Sequence, residues 1–302
     1  MARRPVPTGP GLIVLDTGPL LGFATERVLL VRYWDMRDAK LGALARRRIG
    51  IEPLLTLGTV GAIFLVWYGI AELGLVTALF VPHPAAVWDA FVETLTEGYR
   101  GNTLAQHLAD SLYRVVVGFL LAVVTAVPLG LAIGYSPKVQ AIFDPIIEFY
   151  RPLPPLAYYT LLVIWLGIEN PSKIALLYLA AFPPLSVSAM AGVRGVPVER
   201  VQGARSLGAS RWQVFRYVIF PSCLPEIFTG MRVSIAFTYT TLVAAEMVAA
   251  TSGVGWMVLD ASKFLRSDVI FMGNIVMGLT GIALDRIIRV AERRLVPWKG
   301  KA

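Results

Sequence analysis

Few side chains in this sequence are of the types that make or break bonds. The two histidines, His83 and His107, have no cysteine or second histidine at metal-ligand spacing. Both fall in a segment expected to lie outside the membrane, solvated or interfacial. A GxxxxGK[ST] phosphate loop, an HExxH pair and a GxSxG elbow are all absent, so nothing points to a nucleotide or peptide being hydrolysed by this chain. The polar groups left inside long apolar stretches suggest different work. Tyr158, Tyr159 and Thr160 form one cluster; Thr238, Tyr239, Thr240 and Thr241 form another. Such groups either line a weak solute path or hydrogen-bond one helix to the next. Glu246 is the one charge within residues 233–259. A carboxylate at the centre of a membrane helix costs roughly 2.5–3.5 kcal/mol, so it must face protein or water. It can contact a solute amine, shape an outer gate, or serve as a structural partner for Ser, Thr or backbone groups.

The elements that hold these residues follow from composition. Of 302 residues, 56% are hydrophobic and 16% charged, against about 25% charged in a soluble domain. That excludes disorder, a fibre and a disulfide-stapled module; the one cysteine, Cys223, forbids an internal disulfide. Uncharged stretches recur between Glu52 and Glu72, Arg114 and Lys138, Arg151 and Glu169, Lys173 and Arg194, across 233–259, and between Asp268 and Asp285. A helix needs roughly 17–25 residues to cross the hydrocarbon core. The expectation is an all-α polytopic membrane protein with six transmembrane helices, the last of which must borrow flanking residues. Pro128, Pro183 and Pro184 fall inside spans, and Pro145, Pro152, Pro154 and Pro155 precede the third, which predicts kinked helices.

The net charge of +8 is unevenly spread. Basic residues crowd the first 50 positions, residues 194–216 and the last 17, whereas 76–107 holds only Arg100 against several acids. This is the positive-inside pattern of a multi-pass inner-membrane protein with both termini cytoplasmic. Nucleic-acid binding is excluded, because no basic soluble domain remains. The expected organisation is a cytoplasmic tail over 1–48, with residues 26–37 either an interfacial helix or part of a plain tail. A first span follows over 49–77, then a core over 103–296, then a short cytoplasmic tail over 297–302.

The longest inner segment, 194–228, reads as two short helices. Pro197 and Glu199 suit a first turn. Gly208 breaks the first helix, Ser210 caps the second, and Pro221 and Pro225 are expected to end it. Val214, Phe215, Val218 and Ile219 fall on one stripe. Such an element either docks in a partner's groove or rests on lipid headgroups.

This segment resembles the EAA loop of ABC-importer permeases, E-A-A, three residues, G, nine residues, I-x-L-P. Gln202, Gly203 and Ala204 take the first positions, Gly208 the glycine, and Val218, Phe220 and Pro221 the end. DPIIEFYRPLPPLA, VIWLGIENPSKI, LPEIFTG and LVAAEM are similar to the nitrate/sulfonate/taurine branch from about residue 50 onward. The resemblance implies a type I importer permease fold and no ATPase site of its own. Its loop would be a coupling helix contacting the ATPase through Gln202, Gly203, Ala204, Arg205, Ser206, Leu207, Gly208, Ala209, Ser210, Arg211 and Pro221. Implied partners are a second permease copy, two ATPase subunits that bind ATP and Mg, an outer substrate-binding protein, and membrane lipid. The implied solute is taurine or a related alkanesulfonate, with nitrate, bicarbonate or another small organic solute as alternatives. A tight sulfonate site would want Arg or Lys, and the middles of the spans show none. A weak path is therefore expected, with recognition delegated to the binding protein. The different-class alternative is a membrane sensor or scaffold whose loop docks a partner other than an ATPase.

Overall fold

The structure, a computed structural model, describes residues 52–299. The expectations for 1–48 and for the last three residues lie outside the described residues. The chain divides after Val66 into two units. In the first, the described residues 52–66 are the start of α1 (Glu52–Glu72), whose Leu54, Leu57, Val60, Ile63 and Phe64 side chains are exposed. The second unit holds the end of α1 and all that follows: α2 (Pro84–Thr96), α3 (Leu104–Tyr135), α4 (Pro137–Tyr150), α5 (Pro155–Leu166), α6 (Asn170–Arg194), α7 (Val198–Ser206), α8 (Arg211–Val214), a π-helical turn (Phe215–Ile219), α9 (Phe220–Ala249), α10 (Val254–Lys263) and α11 (Ser267–Leu295). No strand occurs among the described residues.

Among the described residues, five helices are long and apolar enough to cross a membrane: α1, α3, α6, the continuous Arg211–Ala249 and α11. The third expected span, between Arg151 and Glu169, is not one of them. Pro154 and Pro155 set the start of α5, and Gly167, at φ 83°, ends it. Its 12 residues reach about 18 Å, well short of the roughly 30 Å hydrocarbon core. The last span, marginal in sequence, is a 29-residue helix once it takes in its charged flanks.

The core is the packing of α6 against α3 on one side and α9 on the other. Lipid tails are as apolar as leucine, so membrane helices associate by close backbone approach rather than by burying oil from water. α3 provides that approach with Gly118, Ala122, Ala126, Gly130 and Gly134, one residue per turn along a single face. A Cβ at Gly130 would lie 2.3 Å from the Ser186 carbonyl oxygen and 2.8 Å from the Ala189 Cβ. Gly130→Ala therefore forces α3 and α6 apart, and overpacking of this kind costs about 1–3 kcal/mol. The expected result is a lower thermal midpoint for the detergent-solubilised protein.

Next to Pro183 and Pro184, the Ser234 hydroxyl of α9 donates to the Ala181 carbonyl of α6 at 3.0 Å, a hydrogen bond of the kind that ties membrane helices together.

Candidate functional site

Two places gather residues singled out by sequence, and the remaining candidates separate. The first is the 194–228 segment. Here α7 ends at Ser206, and Gly208 takes the left-handed conformation at φ 83°. Ser210 caps α8, accepting from the Gln213 amide while the Gln213 side chain accepts from Ser210. Val214 and Ile219 are buried, with Phe215 and Val218 half-buried beside them, so the expected apolar stripe seats the element on the bundle through Leu131, Val193, Cys223 and Ile227. The opposite side is open: Gln202, Gly203, Arg205, Ser206, Leu207, Gly208, Ser210 and Arg211 are exposed, while Ala204 and Ala209 are half-buried. Leu207, 89% exposed, stands at the tip.

Pro221 and Pro225 do not end this helix, contrary to expectation. Proline removes an amide donor, and the chain accommodates Pro221 with the π-helical turn, in which the Phe220 amide reaches back five residues to the Phe215 carbonyl. Helix then runs on to Ala249, and Pro221 becomes the link between the loop and the longest span.

At the opposite end of the bundle lies a buried polar network. The Glu246 carboxylate is fully buried. It accepts from Arg114 Nη1 at 2.6 Å, Ser111 Oγ at 2.8 Å and the Gly255 amide at 2.9 Å. Arg114 also donates to Asn170 Oδ1, the Ser252 carbonyl and Ser252 Oγ. Ser252 Oγ donates to Asp110. His107 is fully buried, not solvated: its Nδ1 accepts from the Gly253 amide and its Nε2 faces the Tyr99 carbonyl, which fixes the Nε2–H tautomer. Trp256 stacks on the same ring. Just outside the spans, burial and then the Asp260 carboxylate hold the Tyr99 phenol above its ordinary range. Lys173, also buried, donates to the carbonyls of Ile168 and Glu169. One network thus joins α3, the start of α6, the end of α9 and the turn into α10.

Sequence reasoning missed Arg114 and His107 because it began the second span after Arg114. A signal was present. Thr103-x-x-Gln106 is a capping box, with Thr103 Oγ1 accepting from the Gln106 amide and the Gln106 side chain accepting from Thr103. A helix starting at Leu104 places both residues inside it.

The other polar candidates separate. Tyr158 is half-buried and bonded to the Tyr150 hydroxyl, beside a cavity of about 350 Å³. Tyr159 is buried, and its hydroxyl has no partner among the described residues. Thr160 is exposed. Thr238, buried, donates to the Ser234 carbonyl, and Thr240 and Thr241 donate to that of Phe237. Tyr239 and Thr240, with Val243, line a groove of about 1130 Å³ between α9 and α11. The α11 wall runs from Asn274 to Arg293, about 28 Å of helix. Arg232 of α9 and Asp285 of α11 pair at 2.9 Å on that side. The expectation that the middles of the spans hold no Arg or Lys is corrected by Arg232, midway along the continuous Arg211–Ala249 helix; Arg114 lies three turns into α3, and Lys173 sits in the first turn of α6.

Residues 126–297 match the family model described as binding-protein-dependent transport system inner membrane component. The chain is 46% identical to the Escherichia coli taurine transport system permease protein TauC, over 83% of this chain and 91% of that one. It is 34% identical to the Bacillus subtilis putative aliphatic sulfonates transport permease protein SsuC, over 84% and 90%. To the nitrate import permease protein NrtB of Leptolyngbya laminosa it is 31% identical, over 71% and 77%. Among solved structures it resembles a chain of the inward-facing MetNI methionine ABC transporter, with a TM-score of 0.52 and 18% identity, covering 62% of this chain and 95% of that one. Five membrane-length helices, the two-helix loop and these likenesses make one case: the chain belongs to the binding-protein-dependent transport inner-membrane components, the multi-pass permease subunits of ABC importers.

Proposed function

We propose that this chain forms, with a second copy of itself, the path by which taurine or a related alkanesulfonate is imported, and that an ATPase on another chain drives it. ATP and Mg belong to that partner, and an outer binding protein delivers the solute. Both termini lie on the cytoplasmic side.

The observation that carries the coupling assignment is the 198–219 element, its second helix capped by Ser210, seated on the core through Val214 and Ile219, and open along 202–211 except at Ala204 and Ala209. A short apolar-backed helix pair with an exposed tip suits a cleft in another protein. Because α8 runs without a break into the span ending at Ala249, a push at Leu207 or Gly208 is delivered along one helix to the far end of the bundle. Two such chains facing each other make an isologous pair. ATP binding would draw the loops together and open the path outward; hydrolysis and release would return it inward. The bias comes from ATP's different affinity for the two states. The α9/α11 groove, with Tyr239 and Thr240 in its wall, is the half-path each copy contributes. Taurine and sulfonates are favoured as solutes by the names of the relatives at 46% and 34% identity.

The test is uptake by the complete complex reconstituted in vesicles with its binding protein. Taurine and alkanesulfonates should be carried and should stimulate ATP hydrolysis severalfold. Stimulation by nitrate alone would reassign the solute.

A further inference from the structure

The inner part of the α9/α11 groove gathers most of the positive charge of the last ten residues of α11 onto one wall. Its wall includes Arg286, Arg289 and Arg293 against a single acid, Asp285. That acid is already engaged: Arg232 of α9 donates to Oδ1 at 2.9 Å and Arg289 to Oδ2 at 2.6 Å. Among the described residues no carboxylate lies within ion-pair distance of Arg286 or Arg293. Asp285 sits ten residues before the end of α11, about 15 Å along the helix, so the cluster occupies the charged flank of the span where the groove opens. A cleft lined by charge of one sign raises the local concentration of ions of the opposite sign. The rest of the lining is uncharged: Tyr239, Thr240 and Asn274 can hydrogen-bond, and Val243, Met277, Ile282 and Val290 are apolar.

We propose that Arg286 and Arg293 form an anion-accepting step on the groove, which receives the sulfonate end of the solute as it leaves toward the cytoplasm. The proposal rests on the assignment of the groove as the path. A guanidinium presents a planar fork of donors that matches two oxygens of a sulfonate. The Arg232–Asp285–Arg289 chain fixes the neighbouring charges, so the two free guanidiniums keep an open face. Arg286 and Arg293 are solvent-exposed, and high local dielectric keeps their hold weak. Weak attraction suits a transit step, since the solute must leave as readily as it arrives. The same chemistry would take the phosphate of a lipid headgroup, and the experiment separates the two.

The complete complex is reconstituted in vesicles of phosphatidylcholine alone and of phosphatidylcholine with phosphatidylglycerol. Maximal taurine uptake is compared for wild type, the pair Arg286→Gln and Arg293→Gln, and the pair Arg286→Lys and Arg293→Lys. The glutamine pair should lose at least tenfold in both lipids, and the lysine pair should recover to within threefold of wild type. As a second readout, Ile282→Cys in the same groove is labelled with thiosulfonate reagents bearing a sulfonate or an ammonium group. The sulfonate reagent should react at least tenfold faster, relative to the free thiol, and the glutamine pair should abolish that preference. The only native cysteine, Cys223, is buried. The inference is overturned by a glutamine pair that carries taurine within threefold of wild type, by a loss confined to phosphatidylglycerol vesicles, or by labelling without charge preference. Wild-type vesicles that take up no sulfonate overturn the solute assignment and this inference with it.

Discussion

Gly208→Trp should reduce ATP-driven uptake at least a hundredfold and abolish co-purification with the ATPase subunit, while the permease still inserts and folds. The local cost of the substitution and its cost to docking differ. Gly208 has a positive φ of 83° and open space where a Cβ would lie. A side chain there meets only the left-handed backbone penalty of roughly 1–2 kcal/mol, too little to unfold a bundle seated elsewhere. The indole would instead stand at the exposed tip beside Leu207, where a cleft must close around small residues. Gly208→Ala should then lose far less than Gly208→Trp, because it adds the same backbone strain without the bulk. Equal losses would place the defect in the loop's own fold. Intact transport in the tryptophan variant would remove the loop from the coupling route.

The second large effect lies at the other end. Glu246→Ala leaves Arg114, whose side chain is 4% exposed, as a charge without its carboxylate. Removing one member of a buried ion pair typically costs about 3–5 kcal/mol. The variant should unfold at a markedly lower denaturant concentration in detergent, and Arg114→Ala should do likewise by stranding the acid. Pairing Arg114→Met with Glu246→Leu removes both charges and should be less harmful than the sum of the two alanine variants, since contacting residues are non-additive by about 0.5–3 kcal/mol. Full additivity would show that the two side chains do not depend on each other. The same geometry bears on function: three donors already occupy the Glu246 carboxylate, so its first task is to hold α10 and the 250–254 turn against α3.

How much of this could be read from the residues depended on the kind of signal. The all-helical membrane class followed from long uncharged runs, and the loop geometry from Gly208, Ser210 and the Val214–Ile219 stripe, all local cues. What escaped were features set by helices meeting. Arg114 and Arg232 looked like span boundaries because charge was used to mark the ends; only packing shows that a partner on another helix, Glu246 or Asp285, lets each sit inside. Pro221 looked like a stop because proline ends an isolated helix, whereas a π turn and a packed core carry the chain through it. The third apolar stretch satisfied composition but not length, since Pro155 and Gly167 delimit α5 more strictly than hydropathy suggests. Tyr158 to Thr160 and Thr238 to Thr241 could not be sorted by sequence, because adjacent residues on a helix face different neighbours.

The central claim is that force enters through the cytosolic loop. It is tested most directly by the distance between the two loops within the working complex. Val198 is 61% exposed at the start of α7, outside the docking tip. With Cys223 buried, a spin label on Val198→Cys reports that site alone within this chain, the partner subunits being used without accessible cysteines. The label-to-label distance should shorten by several ångströms when ATP is bound and hydrolysis blocked, and lengthen again after turnover. A distance that stays constant through every nucleotide state, in a complex that continues to import solute, would contradict the account.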